Sequence, residues 1–129
     1  MSNRETLIAA VKTRVDGVTG VTAYRSRQQP LSTTQNLCIV VEPRTESVEV
    51  LDVHGNTERT LSVAISLLVR GAVPDQIADT TVAGIETAMA AAFSGAIGHM
   101  LTSIDWQMED ADQMGVAAIT LSYQFIYQC

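Results

Sequence analysis

The chain has 129 residues, of which 47% are hydrophobic and 17% charged, and its formal net charge is −6 at pH 7. This length predicts one domain with a core of its own, and no stretch approaches the roughly 20 apolar residues that cross a bilayer. Residues 1–15 mix charges into an apolar pattern, so we expect no signal peptide there and a soluble protein made in a cytoplasm.

The charges are distributed unevenly along the chain. Residues 1–34 carry five basic and two acidic side chains, whereas residues 71–129 carry seven acidic side chains and no Lys or Arg. Non-specific DNA binding is excluded, because it needs clustered basic residues to neutralise phosphates. The asymmetry favours a contact between the basic end of one copy and the acidic end of the next, which can close into a ring. A solvated acidic surface with a chance asymmetry explains the same counts.

The first third of the chain predicts a helix, a strand and a loop. Ser2 and Glu5 fit a capping box at the start of a helix that runs to about Val15. Residues 21–25 predict a short strand. The polar residues 26–36 predict a loop whose length favours a functional role or disorder in the isolated subunit. The apolar stripe of the helix consists of Leu7, Ile8, Val11 and Val15.

Strand patterns continue on either side of a charged segment. Residues 37–42 predict an apolar strand that Pro43 halts. Residues 48–53 are a candidate third strand, and residues 54–56 have the sequence of a turn, His-Gly-Asn. Residues 44–59 as a whole therefore predict a charged hairpin arm that projects from the body of the domain.

The strongest strand signal lies in residues 60–70. Its apolar side chains alternate with small or polar ones, so they fall on one side of an extended strand that we expect to be deeply buried. The second side, with Ala64, Ser66 and Leu68, is too apolar for free solvent and too polar for a deep core. We expect it to meet a helix or a neighbouring subunit. The residues of the apolar side are Leu61, Val63, Ile65, Leu67 and Val69.

The remainder of the chain predicts one more helix and two strands. Asp75 follows a Pro-containing break and is the N-cap candidate of a helix over residues 76–93. Residues 101–109 and 116–127 alternate as strands do, and the acidic turn 110–112 separates them. The order of elements is α-β-β-β-α-β-β. It predicts a single α+β domain with a mostly antiparallel sheet and both helices packed against it.

No motif in the sequence points to catalysis or to a cofactor. His54 and His99 are predicted in turns, and neither has the closely spaced Cys, His or carboxylate neighbours that a metal site needs. The acidic residues 109–112 lack the length and the glycine of a calcium loop and predict a solvated hairpin tip. Cys38 falls in an apolar strand, where it is expected to pack as a small hydrophobe. We therefore expect no enzyme, no cofactor and no metal site.

Four features resemble one known family. The opening helix RETLIAAVKTRV is followed by the strand region GVTGVTAYR, and a polar loop leads to LCIVVE. The strand TLSVAISLLVR passes through a Pro-Asp break to a helix, and the chain closes on ITLSYQFIY. In pattern and order, over nearly the whole chain, this is similar to the tail terminator proteins of long-tailed bacteriophages. These are small α+β subunits that close into a ring, usually a hexamer, on top of the tail tube.

The resemblance implies a structural virion protein at the head-proximal end of the tail. Its ring would end tube polymerisation at a defined length and give the DNA-filled head a surface to dock on. The implied partners are further copies of the chain, the tail tube protein on one face, and a head-completion or neck protein on the other. DNA would pass through the lumen without specific binding, and no membrane is involved.

Within such a ring, we expect the contacts between subunits to involve the charged parts of the chain, including the loop 26–36 and the arm 44–59. Our hypothesis is that Arg44 or Arg59 pairs with an acid from residues 71–129 of the next subunit. The candidate interface residues are Arg25, Arg27, Arg44, Glu46, Arg59, Asp110 and Asp112.

Other functions fit the same sequence. The chain could be another neck or tail-completion protein of the same kind of particle, or an adaptor of another contractile or secretion assembly. It could also be a small ligand-binding or enzymatic α+β domain, which would need a pocket with convergent polar groups.

Overall fold

A computed structural model describes residues 3–18, 22–25, 37–71, 74–111 and 114–128. The predictions for Ser2, the loop 26–36, Arg27 and Asp112 lie outside these residues. Within them, no helix has the length and hydrophobicity that crossing a bilayer requires. The described helices are α1 (Asn3–Asp16) and α2 (Pro74–Ala88), and the described strands are β1 (Thr22–Arg25), β2 (Leu37–Val50), β3 (Thr57–Gly71), β4 (Gly98–Ala111) and β5 (Met114–Gln128).

The five described strands form one sheet in the order β1-β2-β3-β5-β4. β1 runs parallel to β2, whereas β2, β3, β5 and β4 pair antiparallel in turn. The prediction of an α+β domain with a mostly antiparallel sheet is therefore confirmed. The sheet has two edges, formed by β1 and β2 on one side and by β4 on the other.

The core lies between one face of the sheet, here called the helix face, and the two helices. The five alternating apolar residues of β3 are at most 1% exposed, as their spacing predicts. Side chains of β2, β5 and both helices join them in one cluster. Each fully buried aliphatic side chain of this kind stabilises the fold by roughly 1.5–3 kcal/mol. The helix members are Leu7, Ile8, Val11, Val15, Ala78, Val82 and Ile85.

The opposite side of the sheet, here called the open face, is less covered. On β3 it carries the partly exposed Ser62, Ser66 and Leu68 around the buried Ala64. Both described helices pack in the cluster on the helix face, so neither lies over this one. The expectation that a helix covers it is therefore wrong for the described part of the chain. A neighbouring subunit as its cover stays a prediction.

β2 is one long strand where a strand and a separate candidate strand were expected. It runs through Pro43, and the register shift between Pro43 and Thr45 places a β-bulge at Arg44. β1 pairs with β2 only as far as Val41, so Pro43 lies beyond the parallel ladder and next to the bulge. Proline is tolerated at this position because its missing N–H falls where strand pairing is already interrupted. The prediction that Pro43 halts the strand is wrong, and residues 48–50 are the end of β2.

α2 is shorter than predicted. It begins at Pro74, one residue before the predicted N-cap Asp75, because proline suits the first helical turn, where a backbone N–H has no helical partner. The predicted helix 76–93 also extends too far at its C-terminal end. Met89 and Phe93 keep the helical spacing of buried residues, yet they enter the core from an irregular segment that follows the helix.

Arg14, in the last turn of α1, stabilises this irregular segment. Its two terminal nitrogens donate to the carbonyl oxygens of Ala91 (2.5 Å) and Ala92 (2.6 Å). Its guanidinium carbon lies 3.5 Å from the centre of the Phe93 ring, which is close enough for a cation–π contact. These contacts tie the segment that follows α2 to the last turn of α1 and give its carbonyls hydrogen-bond partners.

The β2–β3 hairpin ends in a turn that Asp52 holds together. The carboxylate of Asp52 accepts from the backbone N–H of His54 (2.8 Å) and from the side-chain amide of Asn56 (2.7 Å). The hydrogen bond from Asn56, and then the one from His54, lower the pKa of Asp52. Gly55 supplies the positive φ of +88° that the turn requires.

We predict that Leu67→Ala lowers the free energy of unfolding by about 2–5 kcal/mol, because Leu67 is fully buried and its loss leaves a cavity. Leu51→Ala removes the same atoms from a side chain that is 45% exposed and should cost less than about 1 kcal/mol. Urea denaturation of both variants, with an unchanged m-value as the test of two-state behaviour, measures the difference. Equal losses would contradict the burial pattern.

Candidate assembly surface

Two of the predicted interface residues, Arg25 and Asp110, lie in strands at opposite edges of the sheet. Arg25 ends β1 at one edge, and Asp110 lies in β4 at the other, in register with Gly115. The side chains of Arg25 and Asp110, and the whole of Arg27 and Asp112, lie outside the described residues. Their roles in subunit contacts stay predictions.

On the arm, the structure brings Glu46 and Arg59 together but places Arg44 elsewhere. Nη2 of Arg44 lies 2.7 Å from Oε1 of Glu42, and the two side chains are 56% and 31% exposed. An ion pair this exposed adds little to the free energy of folding. The Arg44 guanidinium therefore stays accessible to a second acidic partner.

Glu46 is the centre of a polar cluster at one end of the core. Its Oε2 lies 2.5 Å from Nη1 of Arg4 in α1, and its Oε1 accepts a hydrogen bond from the hydroxyl of Tyr127 in β5. Nη1 of Arg59 lies 3.9 Å from the same Oε1. The cluster ties the base of the arm to the first turn of α1 and to the end of the last strand.

The bulge in β2 decides which way Glu46 points. Before the bulge, Ile39 and Val41 lie in the core on the helix face. The extra residue, Arg44, shifts the alternation by one, so that Glu46 lies opposite the core residue Leu61 and shares its face. Without the bulge, the carboxylate would lie on the open face and could not reach α1.

Opposing effects set the ionisation of the cluster. Partial burial raises the pKa of Glu46, but hydrogen bonds from Tyr127 and Arg4, with the charges of Arg4 and Arg59, outweigh it and hold the pKa below its ordinary 4.5. Burial, and then the hydrogen bond to Glu46 and its charge, raise the pKa of Tyr127. At neutral pH, Glu46 is therefore an anion and Tyr127 a neutral donor.

No local sequence pattern predicts a polar contact for Arg4 or Tyr127. Tyr127 closes a run of apolar residues, and a buried tyrosine needs a partner for its hydroxyl, so a polar cluster could have been suspected there. Arg4 gives no signal beyond its place in the first helical turn. The partners of Glu46 can be identified only from the register of β2, β3 and β5, and the register of β2 depends on the bulge.

Eight large hydrophobic side chains are exposed among the residues whose side chains the structure describes, and they fall into two groups. The arm group lies at the end of the β2–β3 hairpin and the β4 group along the edge strand β4 and just before it. The arm group consists of Val48, Val50, Leu51 and Val53. The β4 group consists of Ile97, Met100, Leu101 and Trp106.

A cleft of about 480 Å³ lies between the C-terminal end of α1 and α2. Val18, Gly84 and Thr81 are among its walls, and Arg14 is the charged residue among those that line it. The volume would fit a small molecule. Arg14 is already bonded to Ala91 and Ala92 and so does not point to a ligand.

The histidines have structural surroundings. His54 is exposed in the β2–β3 turn. His99 lies in β4 and not in a turn as predicted, because that strand begins at Gly98. Its ring is stacked 5.7 Å from Phe125 and meets the edge of Phe93 at 4.9 Å, and its Nε2 lies 2.6 Å from the carbonyl oxygen of Met89.

Cys38 is buried, as expected. In the described ranges no three His, Cys, Asp or Glu residues are grouped to hold a metal ion.

The chain was compared with known proteins. No family model and no curated protein matches it. Among solved structures, it matches a chain of the virion of a native gene transfer agent (GTA) particle with a TM-score of 0.61 and 14% sequence identity. The match covers 97% of this chain and 98% of that chain. The two chains therefore share a fold over their whole lengths.

We predict that Glu46→Gln lowers the free energy of unfolding by about 1–2 kcal/mol at neutral pH, because the amide keeps the shape and loses the charge that Arg4 and Arg59 face. Folding lowers the pKa of Glu46, so its carboxylate stabilises the fold above its ordinary value of 4.5. This contribution is lost as the pH falls through the lower folded value. The difference between wild type and variant, measured by urea denaturation from neutral to acidic pH, should therefore shrink in acid.

Glu49→Gln is the matched control for this prediction. Glu49 is exposed on the same strand and lies directly opposite Glu58, so removing its charge should leave the free energy of unfolding unchanged or raise it slightly. If Glu46→Gln behaved like this control at every pH, the polar cluster would have no stabilising role.

Proposed function

We propose that this chain is a structural protein of a bacteriophage-type virion. The observation that carries the proposal is the whole-length likeness of its fold to a chain of a gene transfer agent virion, a phage-like particle. The sequence pattern separately resembles a family from particles of the same kind. A fold comparison and a sequence pattern therefore support the same class of assembly.

Within that class, we infer the role of a tail terminator. Copies of the chain close into a ring, a hexamer as in the family it resembles, on the head-proximal end of the tail tube. The ring ends tube polymerisation and offers its other face to a head-completion or neck protein. The role is structural and non-catalytic, and it uses no cofactor.

The placement of charges supports assembly into a ring. Arg25 and Arg44 belong to the strands at one edge of the sheet, whereas Asp105 and Asp110 belong to β4 at the other edge. β1 and β2 also carry Glu42, Glu46 and Glu49, so their edge is not basic as a whole, and the proposed contact pairs single arginines with acids of the next copy. Such a head-to-tail contact closes into a ring when the rotation between copies allows it. The net charge of −6 would also help DNA to pass without adhering.

Another neck or tail-completion protein would share the likeness to a virion chain. The cleft between α1 and α2 is the observation that favours a different function, the binding of a small ligand. Metabolites that raised the melting temperature of the purified protein would support that alternative.

Electron microscopy of the purified protein, alone and mixed with tail tube protein, tests the proposal. We expect rings with a central hole, and tubes that stop growing once a ring has bound to one end. A neck protein would form rings that leave tube length unchanged. A protein that formed no ring under either condition would contradict the proposed role.

We predict that Arg44→Glu reduces the oligomer mass measured by light scattering, because it puts a negative charge where the acidic edge of the next copy is expected. Arg44→Lys keeps the charge and should keep the mass. Arg44 is the suitable position because Arg59 also serves the Glu46 cluster. Raising the ionic strength should weaken assembly of the wild type in the same direction. Unchanged mass after charge reversal would refute the electrostatic account.

A further inference from the structure

We propose that neighbouring copies join through their sheets. Residues 45–50 of β2 in one copy pair antiparallel with β4 of the next, and the arm group packs against the β4 group. This inference rests on the proposed ring and names the contact that builds it.

The first support is the location of the exposed apolar side chains. Among the residues whose side chains the structure describes, the large ones fall only into the arm group and the β4 group. The arm group belongs to the β2 side of the sheet and the β4 group to the opposite edge. Apolar groups at opposite edges of one sheet can cover each other only between different copies.

The second support is that two members of each group share a face, whereas Met100 lies opposite Gln124 on the open face. Beyond the bulge, Val48 and Val50 follow Glu46 at two-residue spacing, so they continue the helix face of β2. Leu101 and Trp106 lie opposite buried core residues of β5, which also belong to the helix face. In a sheet that continued from one copy into the next, these side chains would lie side by side.

The third support is the backbone of the two edges. β1 pairs with β2 only as far as Val41, and no described strand pairs with the outer side of residues 43–50. β4 is a 14-residue strand at the other edge, with the sequence GHMLTSIDWQMEDA. It has neither Lys nor Pro, which commonly block strand addition, but it does have a bulge at Thr102 and the acids Asp105, Glu109 and Asp110. No described strand pairs with the outer side of either edge, so each is a place where a strand of another copy can add.

Strand direction agrees with this pairing. β2 and β5 run one way, and β3 and β4 run the other. If two copies lie side by side with their helices on the same side, β4 of one meets β2 of the next in antiparallel orientation. The short β1 occupies the first part of β2, and Pro43 and the bulge at Arg44 follow it, so the pairing is limited to residues 45–50. The Glu46 cluster holds this part of β2 against α1, which keeps the edge in place before a second copy arrives.

Two double variants test the contact. The arm variant is V48E/V50E, and the β4 variant is L101E/W106E, all at exposed positions. Each has lost one side of the head-to-tail contact, so each alone should be a monomer, with self-association weakened by at least about a hundredfold. Mixed in equal amounts, they retain one intact contact, between the arm of the β4 variant and β4 of the arm variant. The mixture should form dimers and nothing larger in sedimentation analysis.

The control variant is Q76E/A83E, which adds the same two charges at exposed positions of α2 and should assemble as the wild type does. Circular dichroism verifies that every variant is folded. The proposed contact is wrong if the arm variant or the β4 variant keeps the wild-type mass or forms dimers alone. It is also wrong if their mixture stays monomeric. In each of these cases the proposed ring can still form through a different contact. A wild type that never self-associates overturns the contact and the proposed ring together.

Discussion

The structure depends on the burial of one face of its sheet. The alternating residues of β2, β3 and β5 send their apolar side chains toward both helices, and these side chains form one cluster with α1 and α2. Because the period of a strand is two, the same alternation must produce a second, more polar face. The free energy of folding therefore comes mainly from the helix face. The open face is partly buried, at Cys38, Val40 and Ala64, and partly exposed, at Ser62, Ser66 and Leu68.

One inserted residue connects that core to the candidate assembly surface. The bulge at Arg44 turns Glu46 toward α1, and the same change of alternation puts Val48 and Val50 on the helix face beyond the reach of the core. The polar cluster and the exposed apolar group thus have a common cause. Glu46 fixes the base of the arm where the core ends, and the two valines present an apolar edge where no described helix covers them.

The sequence predicts well what depends on local periodicity. The alternation of residues 60–70 and 116–127 identifies two central strands and their buried faces, because strand period translates directly into burial. It predicts poorly what depends on distant partners. Arg14 binds carbonyl oxygens 77 and 78 residues away, in the segment that follows α2. Glu46 meets Arg4 and Tyr127 across separations of 42 and 81 residues. No local pattern contains such contacts, and Pro43, a strand breaker by propensity, is accommodated by a bulge that only the register reveals.

The free edges of the sheet decide whether further copies of the chain can be added to an assembly. A subunit whose two sheet edges each bind the opposite edge of another copy assembles into a row. An open row always keeps one free edge at each end, and these free edges bind further copies. Sheets twist by about 20–25° per strand, so a row of joined sheets curves and can meet its own end. A closed ring has no free edge left and exposes only its two rims. For a protein whose proposed role is to end the growth of a tube, closure is therefore a functional requirement, because only a ring without free edges leaves its rims as the surfaces for other partners.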